Sequence, residues 1–519
     1  MSPSTIRDLT MSPASPPPPS PPRPTTRPAD SHAAAAGVFA GRHVYMIGIG
    51  GCGMSGLARM LRARGAIVRG SDLSSSAGTD SLAQEGIPVG FDQASGLLPE
   101  ACDLVVASAA VKPDHPQILQ ADRRGVRHLT YAEALGLCMH AHTGIAVAGT
   151  HGKSTTTAML GCALASAGLD PSVIVGASCS QLGPGGGYRI GAATIPSGPL
   201  AGQPGILVAE ACEFNRSFHN YRPRFATITS VEADHLDIYG SLDAVVEAFH
   251  EFAKLIPPAE QGGALLIAHQ GAHRREVTAG LACDVKTIGF SPEADWFVQY
   301  EPTTRHTQVR IRGDGLLCEW ITPLPGAHNA INAATAAVLA HMAGADPAPV
   351  AGMLAQFRGV DRRTQFLGQR TLPSGGVVRV YDDYGHHPTE IDTTLRALRD
   401  FEKPQDRGGR LICVFQPHQH SRTRHLLEEF ATSFSSADVV IVPHIYFVRD
   451  SQSEKQKVSS ADLVDRLRQR GVCAMHLYPF EAIIEQLEVI CRPGDLVVVM
   501  GAGPVNQVAE GFLRHSPVA

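Results

Sequence analysis

Gly149-Thr150-His151-Gly152-Lys153-Ser154-Thr155-Thr156 stands directly after the apolar run Ile145-Ala146-Val147-Ala148 and ahead of an apolar stretch over residues 158–167. A buried strand that breaks into glycines and resumes as a helix leaves backbone N–H groups and the positive helix end facing one point. That is how a chain cradles a triphosphate. In such a cradle Lys153 neutralises phosphate charge and the Ser154 hydroxyl can hold Mg²⁺. The spacing departs from the ordinary P-loop, because Val147 occupies the place of its first glycine. An isolated Gly-Lys-Ser is often only a turn before a helix. The strand before it and the apolar helix after it favour nucleotide binding, and the sequence predicts ATP.

Working outward, 519 residues are too many for one core and imply two to four domains. A composition of 44% hydrophobic and 18% charged residues is that of a globular protein, and a net charge of −5 gives no reason to expect nucleic acid or a membrane surface as partner. The 11 cysteines are scattered singly, without a CxxC pair, which predicts reduced thiols in the cytoplasm. No apolar stretch reaches the roughly 18 residues of a membrane span. Residues 1–37 are read as a disordered extension, since the Pro- and Ser-rich part cannot bury enough surface to offset its ordering entropy. A monomer or weak homodimer is expected.

Three α/β segments follow. Residues 38–142 open with a strand at 42–47, then Gly48-Ile49-Gly50-Gly51-Cys52-Gly53, a helix to about residue 64, and a strand ending at Gly70-Ser71-Asp72. A GxGxxG turn with an acid 24 positions after Gly48 is a nucleotide-diphosphate signature; alone, it would suggest a dehydrogenase. Another buried strand ends at Ser108. Residues 143–344 contain the phosphate loop, strands at 205–209 and 225–229, and an alanine-rich helix after Pro325-Gly326-Ala327-His328-Asn329. Residues 345–519 carry strands at 377–381, 411–415, 439–442 and 496–500, with helices between. The expected architecture is α/β: a Rossmann-like first domain, a central P-loop ATPase-type parallel sheet and a C-terminal Rossmann-like domain, with ligands at the strand carboxyl ends.

Chemistry-bearing residues follow those strands. Glu210 and Glu213 come after one, and Glu232, Asp234, His235 and Asp237 after the next, where Mg²⁺ can bridge ATP and an acceptor. Glu210, Asp234 and Asp237 fit solvated loop acids equally well. In the third segment, Asp382-Asp383-Tyr384-Gly385-His386-His387-Pro388 and Gln416-Pro417-His418-Gln419-His420-Ser421-Arg422 gather hydrogen-bonding groups around two strand ends and predict a polar pocket. Arg362-Arg363 would ordinarily lie on the surface; in a multidomain ATP enzyme one such arginine can reach the phosphates.

Six blocks, in order, resemble the motifs of the Mur ligases: Gly48 through Gly56, Gly149 through Thr157, Asp234-His235-Leu236-Asp237-Ile238-Tyr239, Pro325 through Asn329, Asp382 through Glu390, and Gln416-Pro417-His418. The loop histidine and the Asp-Asp-Tyr-Gly-His-His-Pro block point to the alanine-adding branch. The resemblance implies ATP-dependent joining of L-alanine to UDP-N-acetylmuramate through an acyl phosphate. It implies a UDP-sugar on Gly48, Gly50, Gly51, Gly53, Met54, Ser55 and Ser108, with Asp72 on the nucleoside side. ATP would lie on Gly149, Thr150, His151, Gly152, Lys153, Ser154 and Thr155, with His328 and Asn329, Arg363 on phosphate, and Asp382 or Asp383 near the ribose. Ser154, Glu213 and His235 would meet Mg²⁺; Lys153, Glu213, His235 and Arg363 would serve catalysis; Tyr384, His386 and Arg422 would line the amino-acid pocket. Departures from the family pattern are Cys212, Phe214 and Asn215 in the Glu210 block, Phe91, Ser230, and Gln419 in place of an arginine. The rival readings are a murein-tripeptide recycling ligase, an NAD-dependent oxidoreductase and a nucleotide-binding scaffold.

Overall fold

The computed structural model describes residues 39–514 apart from 184–185, 304, 314, 374 and 449. The extension expected over residues 1–37 lies outside the described residues. The buried strands read from the sequence all form, and they sort into three sheets.

The first sheet has five parallel strands in the order Val89–Gly90, Ile67–Ser71, His43–Ile47, Leu104–Ala107, His128–Thr130. Order reverses at His43–Ile47, so its carboxyl end opens onto the crevice where α/β sheets take ligands. The glycine loop follows there and leads into the helix Cys52–Ala63.

The middle sheet has ten strands, with Thr143–Ala148 flanked by Phe225–Ile228 and Ile206–Glu210 in parallel. All six residues of Thr143–Ala148 are buried, as a strand covered by helices on both faces requires. The helices Lys153–Ser166 and Ala327–Met342 cover one face, and small side chains let them pack closely. The sheet is not wholly parallel. Trp296–Thr303, His306–Gly313 and Gly315–Thr322 form an antiparallel extension that sequence reading did not foresee. Val309, Ile311 and Trp320 point into the core while their neighbours face water, the alternation of a half-buried sheet.

The third sheet runs Gln365–Thr371, Val377–Asp383, Leu496–Met500, Leu411–Phe415, Val439–Val442, Cys473–His476, and only the first strand is antiparallel. The first and middle units share an apolar cluster in which Leu135 and Met139 join Phe218 and Tyr221. Arg59 also lies 4.4 Å over the Tyr188 ring, from the first unit onto the middle one. The helix Pro347–Ala355 and the turn after it pack Val350, Leu354, Phe357 and Val360 into the middle unit's apolar core, and beyond them the third unit meets the middle one through polar side chains at the strand ends.

Candidate active site

The phosphate loop has the conformation its glycines permit. Gly149 (φ 130°) and Gly152 (φ 79°) lie in the left-handed region, and a Cβ on Gly152 would stand 2.5 Å from Asn332 Oδ1. The next strand end braces the loop: Thr150 N–H donates to Ser230 O (2.9 Å) and His151 N–H to Ser230 Oγ (3.0 Å). Ser230, a departure from the family pattern, thus supports the loop directly. Lys153 folds back, donating from Nζ to Gly149 O (2.6 Å) and Thr150 O (3.0 Å), and lies 2.9 Å from Glu213 Oε2. Burial works against the ammonium, but Glu213, Cys212 and Glu210 together outweigh it and raise the pKa above the ordinary lysine value. The Ser154 hydroxyl donates to Glu210 Oε1 (3.0 Å), and Glu210 Oε2 accepts Gly176 N–H (2.8 Å), so Glu210 is no solvated loop acid.

This loop floors a cavity of about 270 Å³. Thr150, His151, Gly152, Lys153, Ser154 and Thr155 line it, with His328 and Asn329 from the alanine-rich helix, apolar Ala268, Ile288 and Ile331, and Arg363, Asp383 and Glu390 from the third unit. Burial lowers the His328 pKa to about 4, so its ring is neutral at pH 7. Asp383, not Asp382, reaches the cavity. Asp383 is fixed by Thr364 N–H (2.6 Å) and Gly385 N–H (2.6 Å), whereas Asp382 lies behind it against Arg362 Nε (3.1 Å). Arg362 also donates to Gly501 O (2.7 Å), which leaves Arg363 as the arginine facing the cavity.

Beside Lys153, the ligand-type atoms of Glu213, Asp234 and His235 lie within 4.8 Å of one another. His235 takes a left-handed backbone (φ 53°) at the start of the helix Leu236–Tyr239. Burial lowers its pKa, with Asp234 and Glu213 opposing, so the imidazole is neutral and keeps a lone pair. Asp234 is anchored by Arg422 from the third unit: Oδ1 accepts from Nη2 (2.9 Å) and Nε (3.2 Å). Burial raises the Asp234 pKa, but Arg422 together with His235, His386 and His387 outweighs it and holds the carboxyl well below the usual carboxylate range.

A second set of contacts joins the units at His151. Its Nδ1 lies 3.2 Å from Glu390 Oε1 and its Nε2 3.4 Å from Glu232 Oε2. Burial disfavours the imidazolium, yet the two carboxylates raise its pKa to about 9. Glu390 Oε2 accepts the N–H groups of His386 (2.9 Å) and His387 (3.2 Å), capping the helix Pro388–Glu402, and Thr389 Oγ1 donates to Glu232 Oε2 (2.6 Å). Sequence reading placed Glu232 among the acids that could meet Mg²⁺, not against His151, and gave Thr389 and Glu390, quoted only within the Asp382 block, no role. The available signal was the helix start His-Pro-Thr-Glu, where a Glu three positions into the helix caps it.

Tyr384, His386 and Arg422 do come together. The rings of Tyr384 and His386 are 5.6 Å apart, those of His386 and His418 5.7 Å, and Arg422 Nη1 is 3.2 Å from His418 Nδ1. Arg363 stands 5.0 Å over the Tyr384 ring, linking this row to the nucleotide cavity. Gln419 is buried in a left-handed turn (φ 69°) and its carbonyl accepts Thr423 Oγ1 (2.7 Å).

In the first unit, Gly48 N–H donates to Ser71 O (2.8 Å) and Gly50 N–H to Asp72 Oδ2 (2.8 Å), while Asp72 Oδ1 accepts Leu73 N–H (2.8 Å). Asp72 thus tightens the glycine turn. The N–H groups of Gly53 and Met54 lie at the helix end suited to a diphosphate, whereas the Ser55 N–H donates to Gly51 O (2.8 Å). Ser108 lies beside Gly48 and donates its N–H to Ile47 O (3.0 Å).

Three such sheets, a phosphate loop on the middle one and a third unit closing over it define a ligase of the Mur type, and family models agree along the chain. They match residues 43–143 (Mur ligase family, catalytic domain), 147–340 (Mur ligase middle domain) and 362–503 (Mur ligase, glutamate ligase domain). The chain belongs to the Mur ligase family. It is 40% identical over 489 residues to the UDP-N-acetylmuramate–L-alanine ligase of Kineococcus radiotolerans, covering 93% of this chain and 98% of that one. Among solved structures it is similar to the UDP-N-acetylmuramate-alanine ligase of Thermotoga maritima (25% identity, TM-score 0.71, 91% and 98% of the two chains). It is also similar to a murein peptide ligase of Psychrobacter arcticus (25% identity, TM-score 0.65, 91% and 98%).

Proposed function

We propose that this chain uses ATP to join L-alanine to UDP-N-acetylmuramate in peptidoglycan synthesis, releasing ADP and phosphate. The observation that carries the reading is an unbroken run of contacts. It leads from Lys153 through Glu213 and Asp234 to Arg422, and on through His418, His386 and Tyr384 back to Arg363 at the nucleotide cavity. Such a ring supports a reading with a phosphoryl donor and an amino-acid anchor on either side of one point. The alanine-adding relatives, similar over nearly their whole length, supply the substrate identities.

In this reading ATP lies on residues 149–155 with His328 and Asn329, Asp383 faces its ribose, and Lys153 and Arg363 hold the γ-phosphate. The muramyl carboxylate attacks the γ-phosphorus and ADP departs, leaving an acyl phosphate. The alanine amine attacks that carbonyl carbon, sheds a proton, and phosphate leaves. Carboxylate and amine do not condense in water, so activation by ATP drives the bond, and the protein contributes orientation and charge stabilisation. Tyr384, His386 and Arg422 hold the amino acid, while Gly48, Gly50, Gly51, Gly53, Met54, Ser55 and Ser108 hold the UDP-sugar.

Glu213 and His235 fit a divalent cation: Glu213 Oε2 is buried without an aligned hydrogen bond, and the His235 ring is neutral. With Ser154 they would hold Mg²⁺, which when bound neutralises charge on the transferring phosphoryl group. The assigned units are 38–142, 143–344 and 345–519, acting as a cytoplasmic monomer or weak homodimer. Among the described residues no helix is long and apolar enough to cross a membrane. A coupled ADP-release assay tests the function. Turnover should require UDP-N-acetylmuramate and L-alanine together. Preference for the tripeptide L-Ala-γ-D-Glu-meso-diaminopimelate, or turnover with NAD and no ATP, would overturn it.

A further inference from the structure

The Arg422–Asp234 contact is peculiar for a substrate anchor. Arg422 is 8% exposed, yet its charge is already met by a carboxylate from another unit. The two nitrogens that reach Asp234, Nη2 and Nε, converge on its Oδ1 at 2.9 and 3.2 Å, while Nη1 lies 3.2 Å from His418 Nδ1 and Oδ2 turns to His235 Nε2 at 3.7 Å. The pair is therefore one-oxygened rather than the parallel two-bond fork that a guanidinium prefers. A small cleft opens beside it, lined by Asp234, His235, Asp237, Ser421, Arg422 and His425.

We propose that Asp234 is a built-in stand-in for the carboxylate of the incoming amino acid, which displaces it from Arg422. The inference rests on the reading of Arg422 as amino-acid anchor. A free α-carboxylate offers two oxygens in one plane and can make the parallel fork that Asp234 does not make. Asp234 does not lose all support when displaced, because His235 N–H donates to its Oδ1 (2.7 Å) and the His235 ring lies beside Oδ2. The exchange keeps Arg422 charge-compensated in both states, so the buried guanidinium is never left bare. It also keeps the third unit seated on the middle one before the amino acid arrives, since Asp234 and Arg422 belong to different units. The consequence is a specificity filter: an amine without a carboxylate cannot perform the exchange.

The test is calorimetric binding of L-alanine to the full chain, holding UDP-N-acetylmuramate and an unreactive ATP analogue. Asp234→Asn keeps the shape and a hydrogen-bond acceptor but removes the competing charge. Alanine should bind about 5- to 30-fold more tightly, the size of one partly shielded ion pair. L-alaninamide, which lacks the carboxylate, should show no such gain, and Asp234→Asn should have no effect in an Arg422→Ala background. Unchanged or weakened alanine binding in Asp234→Asn, with Arg422→Ala still weakening it, would overturn the exchange and leave the anchor standing. Alanine binding indifferent to Arg422→Ala would overturn the anchor itself. Thermal unfolding of Asp234→Asn separates these outcomes from misfolding.

Discussion

Lys153→Ala removes the cation from the most tightly held ion pair of the phosphate loop. Glu213 is 3% exposed and its Oε2 lies 2.9 Å from Lys153 Nζ, so the variant leaves a buried carboxylate without its counter-charge. Removing one partner of such a pair costs about 3–5 kcal/mol. The carbonyls of Gly149 and Thr150 also lose their donor, which loosens the loop. On catalysis, withdrawing one cation from a transferring phosphoryl group costs on the order of 10²- to 10³-fold in kcat. The two losses separate in the double variant Lys153→Ala/Glu213→Gln. It should recover most of the urea midpoint, because no buried charge remains, and none of the turnover. Calorimetry should find UDP-N-acetylmuramate binding unchanged in both variants, since the glycine loop lies on a different sheet. A Lys153→Ala protein that keeps its full urea midpoint would refute the reasoning about Glu213. One that loses UDP-sugar affinity more than about tenfold would refute the allocation of the two nucleotides to two sheets.

Arg422→Ala should raise the alanine KM about 30- to 1,000-fold with little change for ATP, and Arg422→Lys should recover only part, because an ammonium makes no planar fork; steady-state kinetics with each substrate varied in turn decides it. The two carboxylates hold the His151 pKa at about 9 against about 6.5 in the unfolded chain, worth about 3 kcal/mol. Because it is raised, that stabilisation is full below pH 6.5 and lost as pH rises through about 9. Melting curves from pH 7 to 10 should fall more steeply for the parent than for His151→Gln, and parallel curves would contradict the bridge.

The buried strands were legible because a strand covered on both faces must be apolar throughout, as Leu411–Phe415 and Leu496–Met500 are. The two glycine loops were legible because close backbone approach and positive φ leave little choice of residue. The antiparallel extension over Trp296–Thr322 was harder to see: its strands are half-exposed, and their alternation is interrupted by Gly313 and Gly315. Site residues on the loops themselves could be named in advance; which of them pair across the closure could not. His151 meets Glu390 and Arg422 meets Asp234 across 239 and 188 positions, and no local pattern encodes a contact that exists only when two sheets are brought face to face. For the same reason Glu210, which holds Ser154, was indistinguishable from a solvated acid until its two hydrogen bonds were seen.

The central claim is that ATP activates the muramyl carboxylate as an acyl phosphate before the amine attacks, and an oxygen-transfer measurement tests it most directly. UDP-N-acetylmuramate carrying ¹⁸O in both carboxylate oxygens is turned over with ATP and L-alanine, and the phosphate, nucleotide and amide products are weighed by mass spectrometry. The account predicts inorganic phosphate with one ¹⁸O atom, an amide retaining one, and unlabelled ADP. Unlabelled phosphate, or label in AMP, would contradict it.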